Sequence, residues 1–239
     1  MIVLAIDTCD ARGSISILST DEIVATVVHD VPEEYSSWLL PAVDRALRAA
    51  STVLTDVNLF AVATGPGSFT GVRIGLTTVK AWAEVFEKPI VGVSRLEVLA
   101  AESKGTAPYV ASFIDAQRGQ LFGALYKRTV DGLKLEGEEL VTAAPDFIAG
   151  VNEQAGSETV DWVSTDPELL RQSAAWQARS ARDEQILQVP NILAPLIAKL
   201  AKHKASKGQA VDALSLDANY VRRSYVEVFQ KGAPHVPGK

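Results

Sequence analysis

Leu59-Phe60-Ala61-Val62-Ala63-Thr64 runs straight into Gly65-Pro66-Gly67-Ser68-Phe69-Thr70-Gly71, and from Val72 to about Phe86 apolar residues recur at helical spacing. A short continuous apolar run, a glycine-rich turn and an amphipathic segment read as buried strand, tight turn and helix, the unit of an α/β fold. Pro89 ends the helix, Ile90 to Val93 is a further strand, and Ser94 caps a helix reaching about Ser103. On the N-terminal side, Ile2–Asp7, Ser14–Leu18 and Glu22–His29 are strand-like runs separated by loops at Gly13 and Asp21, which predicts two consecutive hairpins. Ser36 or Ser37 caps the helix that follows, with Leu39, Val43, Leu47 and Ala50 on its core face. Pro41 is then placed in the first turn, where backbone N–H groups have no intrahelical partner.

The segment Lys104-Gly105-Thr106-Ala107-Pro108 is the best boundary, because the pattern restarts after it. Strands at Tyr109–Asp115, Gln120–Lys127 and about Leu133–Val141 repeat the element order of the first part, without repeating its residues. We therefore expect a duplicated lobe: residues 1–104, residues 105–230 and a disordered tail at 231–239 that holds Gly232, Pro234, Pro237 and Gly238. A late helix is expected from an Asn191 cap to about Lys204, with Gly208 beyond its end.

With 239 residues, 47% apolar and 22% charged, the chain can bury a sizeable core. Cys9 is the only cysteine, so no internal disulfide forms. Asp7 interrupts the first apolar run too early for a signal peptide, and no run reaches the length of a membrane helix. The expected location is the cytoplasm. The net charge of −6 argues against a chain that grips nucleic acid by itself, since phosphate contacts need a basic surplus.

Catalytic equipment is sparse. His29, His203 and His235 fall on a strand, a basic helix and the tail, and none has metal-ligand spacing. No Gly-x-Ser-x-Gly elbow is present. The glycine run is not a P-loop, because no Gly-Lys-Ser/Thr follows; Thr70 stands where a dinucleotide fingerprint places its third glycine. Two readings remain: an anion site at a helix N-terminus, or a turn whose glycines permit close backbone approach. We expect no catalytic residue, metal or cofactor.

The helix after the glycine run carries more information. Val72, Leu76, Val79, Ala83 and Phe86 form one apolar stripe, and Ile74, Thr78, Trp82 and Val85 form a second. A surface helix normally needs one stripe, so the second points to a partner or to a sandwiched helix. In the preceding helix Trp38, Ala42 and Arg45 are placed off the core face, and Trp and Arg are enriched at interfaces. Lys199, Lys202, Lys204 and Lys207 complement a helix C-terminus, or contact RNA in a larger assembly, with Arg222 and Arg223 beside Tyr220 and Tyr225 as an extension of that surface.

Ile6-Asp7-Thr8, Tyr35-Ser36-Ser37-Trp38-Leu39-Leu40-Pro41, the eleven residues Gly65 to Gly75, and Ile114-Asp115-Ala116-Gln117-Arg118-Gly119 together resemble the bacterial TsaB (YeaZ) family, in register over about the first 126 residues and again at Tyr220-Val221-Arg222. The resemblance implies an α/β fold of two lobes, of the actin-like and sugar-kinase-like ATPase superfamily, with duplicated βββαβαβα-type halves. It also implies a role in making threonylcarbamoyladenosine in transfer RNAs that decode codons beginning with A. In that family the paralogue TsaD binds the metal and transfers the threonylcarbamoyl group; TsaB pairs with TsaD through first-lobe helices, the ATPase TsaE joins them, and homodimers form through similar surfaces. The catalytic paralogue's His-x-x-x-His pair is represented here by Tyr35 and Leu39, and Asp7 is followed by Thr8, Cys9 and Asp10 where active superfamily members place a glycine. Tyr35, Gln117 and Asp217-Ala218 depart from the family pattern. The residues thus favour a non-catalytic scaffold; the alternative on the same fold is an autonomous ATPase or sugar-type kinase resting on Asp7 and the glycine loop.

Overall fold

The structure, a computed structural model, describes residues 1–30, 33–179 and 184–221. The first half is β1 (Ile2–Asp7), β2 (Ser14–Ser19), β3 (Glu22–Val28), α1 (Tyr35–Ala49), β4 (Leu59–Gly65), α2 (Phe69–Phe86), β5 (Ile90–Ser94) and α3 (Arg95–Ala101). The second is β6 (Tyr109–Gln117), β7 (Gln120–Thr129), β8 (Gly132–Thr142), α4 (Ala144–Ala155), β9 (Val160–Ser164), α5 (Glu168–Arg171), α6 (Ala174–Arg179), β10 (Ile186–Gln188) and α7 (Ala194–Ser206). One sheet has the order β3-β2-β1-β4-β5 and the other, read from its β8 edge, β8-β7-β6-β9-β10. Each begins with two antiparallel hairpin pairings and continues with parallel ones. The duplicated α/β architecture expected from the element order is present.

β1 and β4 are apolar along their length because both faces of this sheet are covered. Helices α1 and α2 touch each other and cover one face; α7 and α3 cover the other. This double cover explains why β2 is buried on both faces in spite of its alternating sequence. Its polar members are satisfied locally: Ser16 Oγ donates to the Ala25 carbonyl at 3.0 Å, and Ser14 Oγ accepts the Ala194 amide at 3.1 Å.

The last helix of each half packs across the boundary. α3 lies against β6 and β7 as well as β4 and β5, and α7 lies on β1, β2, β4 and β5. Val211 and Ile90 exchange backbone hydrogen bonds at 2.8 and 2.9 Å. α7 and the segment around Val211, which lie in the 105–230 part of the expected division, thus pack on the first sheet. One apolar cluster accordingly contains residues of both sheets, from Leu4 and Val62 to Ile114 and Tyr126. A second, under α4, α5 and α6, is built on Phe113, Phe147, Trp162 and Trp176.

Three element boundaries also move. α1 starts at Tyr35 after Glu34 with no side-chain cap, so Ser36 and Ser37 lie inside it and Pro41 falls in its second turn, where it removes one hydrogen bond. α2 starts at Phe69 because Ser68 is its cap, accepting from the Gly71 amide at 3.3 Å. α7 starts at Ala194 rather than after Asn191; the Ser14 hydroxyl, from β2, takes the place of a local cap. The expected tail at 231–239 lies outside the described residues.

Candidate functional site

The seven residues singled out for partner contact divide into two groups. Ile74, Thr78 and Trp82 are half-buried on α2, Val85 is 73% exposed, and Arg45 is exposed on α1. Trp82 rests one edge on Phe60, at 6.0 Å between ring centroids, and leaves the remainder to the surface. Trp38 and Ala42, expected off the core face, belong instead to the core, at 2% and 0% exposure. Because β2, β3 and α2 all abut α1, its buried stripe is wide enough to take in positions 38, 42 and 46 beside 39, 43 and 47. Trp38 packs edge-on to the His29 ring at 4.9 Å. Leu40, which the periodicity left unassigned, is 57% exposed on α1. A leucine one position past a core residue, on a face otherwise polar, was its signal.

Between the halves lies a cleft of about 870 Å³, lined from the first half by Cys9 to Arg12, Pro66 to Phe69 and Arg95, from the second by Ile114 to Arg118, and by Asn219 to Val221. At its base Arg95, which the sequence reading missed, lies between two carboxylates. Its Nε is 3.3 Å from Asp7 Oδ2, its Nη2 bonds Asp10 Oδ2, and its Nη1 points at the Pro66 carbonyl at 3.4 Å. Burial pushes the Asp7 carboxyl up, while Arg95 pulls it down. Arg95 stays cationic in spite of its own burial because Asp7 and Asp10 flank it. Carboxylates committed to a fixed internal cation are poor metal ligands or general bases. The pair spans 85 residues of sequence, so no local pattern announces it.

The glycine run is used internally. A side chain on Gly67 would overlap the Cys9 carbonyl, and one on Gly71 the Thr8 carbonyl. The Ser68 amide donates to Cys9 O at 2.6 Å, and Thr8 Oγ1 donates to Gly71 O at 2.6 Å. The run thus lets α2 dock on the β1–β2 loop, which supports the close-approach reading.

The other reactive groups are similarly tied. Cys9 is fully buried, its thiol is pushed up by burial, and Sγ faces the Ala63 carbonyl at 3.6 Å. His29 sets Nδ1 3.1 Å from Ala11 O and Nε2 2.7 Å from Glu33 O. Tyr35 bonds the Asp10 carbonyl and accepts the Gly13 amide at 2.6 Å. Among the described residues no three His, Cys, Asp or Glu side chains converge as a metal site. Lys202 pairs with Asp21, Lys204 with Glu97, and Lys207 donates to the Asp131 carbonyl. These contacts tie three of the four lysines to neighbouring elements of the same chain. Arg222, Arg223, Tyr225 and His235 lie outside the described residues. No described helix is long and apolar enough to cross a membrane.

A family model described as TsaD, tRNA N6-adenosine threonylcarbamoyltransferase, matches residues 24–178. The chain is 34% identical to the Escherichia coli tRNA threonylcarbamoyladenosine biosynthesis protein TsaB, over 74% of this chain and 73% of that one. It is 37% identical to the Bacillus subtilis protein of the same name over 53% of this chain, a match that spans 56% of the relative's length. Among solved structures, a Pseudomonas aeruginosa protein described as similar to the peptidase YeaZ superposes with a TM-score of 0.71 at 24% identity, covering 92% of this chain and 99% of that one. A Thermus thermophilus ROK hexokinase gives 0.54 at 13%, over 87% and 100%, a likeness of fold. On the strength of the family model and the Escherichia coli relative, this chain belongs to the TsaB (YeaZ) family.

Proposed function

We propose that the chain is a non-catalytic, activating subunit of the cytoplasmic machinery that transfers a threonylcarbamoyl group to adenosine in tRNAs decoding codons that begin with A. It engages a TsaD-type paralogue through the α1–α2 face, with a TsaE-type ATPase joining the pair, and meets tRNA only inside that assembly. The observation that carries the reading is the row Ile74, Thr78, Trp82 and Val85, which stays half-buried or exposed on a helix whose other stripe already fills the core. Such a surface is costly to leave in water and gains by being covered. The names of the relatives supply the pathway. The commitment of Asp7 and Asp10 to Arg95 supports a passive cleft, and Cys9, buried, and His29, bound to two carbonyls, are not arranged as a nucleophile and its base. A homodimer through the same stripe is the state expected of the isolated chain.

Val85→Glu and Trp82→Glu place a charge where the interface would close. Both are expected to abolish co-elution with the TsaD partner and tRNA modification by the reconstituted proteins. Val85→Glu should keep the wild-type circular dichroism and melting temperature. Undiminished co-elution of Val85→Glu would sink the proposal, as would magnesium-dependent ATP turnover by the lone chain that disappears in Asp7→Ala.

A further inference from the structure

Residues 209–221 form a strap with no helix or named strand of its own. Most of its attachments are to the first half. Val211 bridges to Ile90, Lys80 Nζ donates to the Leu216 carbonyl at 2.8 Å, and Leu216 covers Gly92 so closely that a Cβ there would lie 2.5 Å away. The Asn219 amide donates to Thr64 O at 2.8 Å, and Arg73 Nε donates to the Tyr220 hydroxyl at 2.9 Å. Another attachment comes from the second sheet: Asn219 Nδ2 donates to Glu139 Oε2 at 2.6 Å.

Glu139 sits on β8 and faces inward. Its Oε1 accepts from the Ser94 hydroxyl, the cap of α3, and from the Tyr126 hydroxyl at 3.3 Å. An ionised carboxylate is an acceptor-only group, and here it gathers three neutral donors from β5, β7 and the strap. Glu97 is a neighbouring like charge, itself bound by Lys204. Placing a carboxylate in such a spot is unfavourable unless its hydrogen bonds are all made.

We propose that Glu139 is the latch that ties the strap across the mouth of the cleft, making residues 216–221 a releasable cover. Asn219 and Tyr220 line the cleft, and the strap also covers the Phe69–Arg73 flank of α2, where the Arg73 guanidinium lies 3.8 Å over the Phe69 ring. Undoing the latch removes the strap's tie to the second sheet at the cleft mouth and leaves Lys80, Thr64 and Arg73 as its remaining anchors. This inference stands whether or not α2 meets a partner.

The test is amide hydrogen exchange on the full chain. Glu139→Ala and Asn219→Ala are each expected to speed exchange at the residue 219 amide, which bonds Thr64 O, by about ten- to a hundredfold, with β1 and β4 unchanged. The double variant should exchange no faster than the quicker single, as one shared contact requires. Tyr126→Phe, which removes a donor but leaves the strap bond, should exchange there as wild type. Wild-type protection at residue 219 in Glu139→Ala overturns the latch. So does an equal acceleration throughout β1 and β4, or additive effects in the double variant.

Discussion

The two halves share one topology and use it in opposite ways. In the first, β4 leads into an unbroken eighteen-residue helix, α2, whose second apolar stripe its own chain leaves partly uncovered. In the second, β9 leads into the corresponding stretch, broken into the short α5 and α6, which turn Leu170 and Trp176 into their own core. The carboxylates at the hairpin ends differ as well. Asp7 is buried beneath Arg95, whereas Asp115 is exposed and holds Gln117 through its amide at 2.7 Å and its side chain at 2.6 Å. Duplication supplies a scaffold; which half keeps an open apolar face depends on a few residues that end or continue a helix.

The largest effects should come from the closed half's core and the open half's buried charges. Trp176→Ala removes a ring packed edge-to-face with Trp162, at 5.2 Å between centroids, and should cost about 3–5 kcal/mol in denaturant unfolding. Trp82→Ala, half-buried, should cost clearly less; equal losses would mean that the two helices are equally internal. Arg95→Ala strands Asp7 without its cation and should cost about 3–5 kcal/mol. Asp115→Ala should cost about 1 kcal/mol or less, since its bonds are short-range and exposed. A reversal of that order would erase the contrast between the hairpin ends.

Helix glycines sharpen the same contrast. Gly71→Ala drives a methyl into the Thr8 carbonyl and should lower stability by about 1–3 kcal/mol. Gly150→Ala in α4 meets open space and should raise it by about 0.5–1 kcal/mol, read as a higher melting temperature. The smallest effect concerns pH. Burial raises the Glu139 carboxyl above 4.5, so the folded chain keeps a proton that the unfolded chain has lost. Folding then takes up a proton, and stability falls as pH rises from about 4.5 through the raised value. The stability difference between wild type and Glu139→Gln should therefore shift against wild type over that window. A flat difference would mean that Glu139 titrates alike in both states.

Much of the frame was readable because it is local. The hairpins of β1 to β3 followed from three strand-like runs and their breaks, and the Ser94 cap was confirmed by its bonds to the Leu96 and Glu97 amides. The restart after residue 108 announced the duplicated sheet. The second stripe of α2 was legible too, because helical spacing is set within the segment. Trp38 was misjudged for the complementary reason: periodicity says which residues share a face, and not how many neighbours will cover it.

The α/β duplication, the family resemblance and the doubly apolar helix were legible from residue order, because each depends on spacings within a few turns or strands. Tertiary structure alone decided that α7 and Val211 return to the first sheet, that Arg95 fills the space between Asp7 and Asp10, and that Glu139 reaches Asn219. Those contacts join residues about eighty or more positions apart, and a pairing at that range is fixed by how whole layers stack, which no short window of residues encodes.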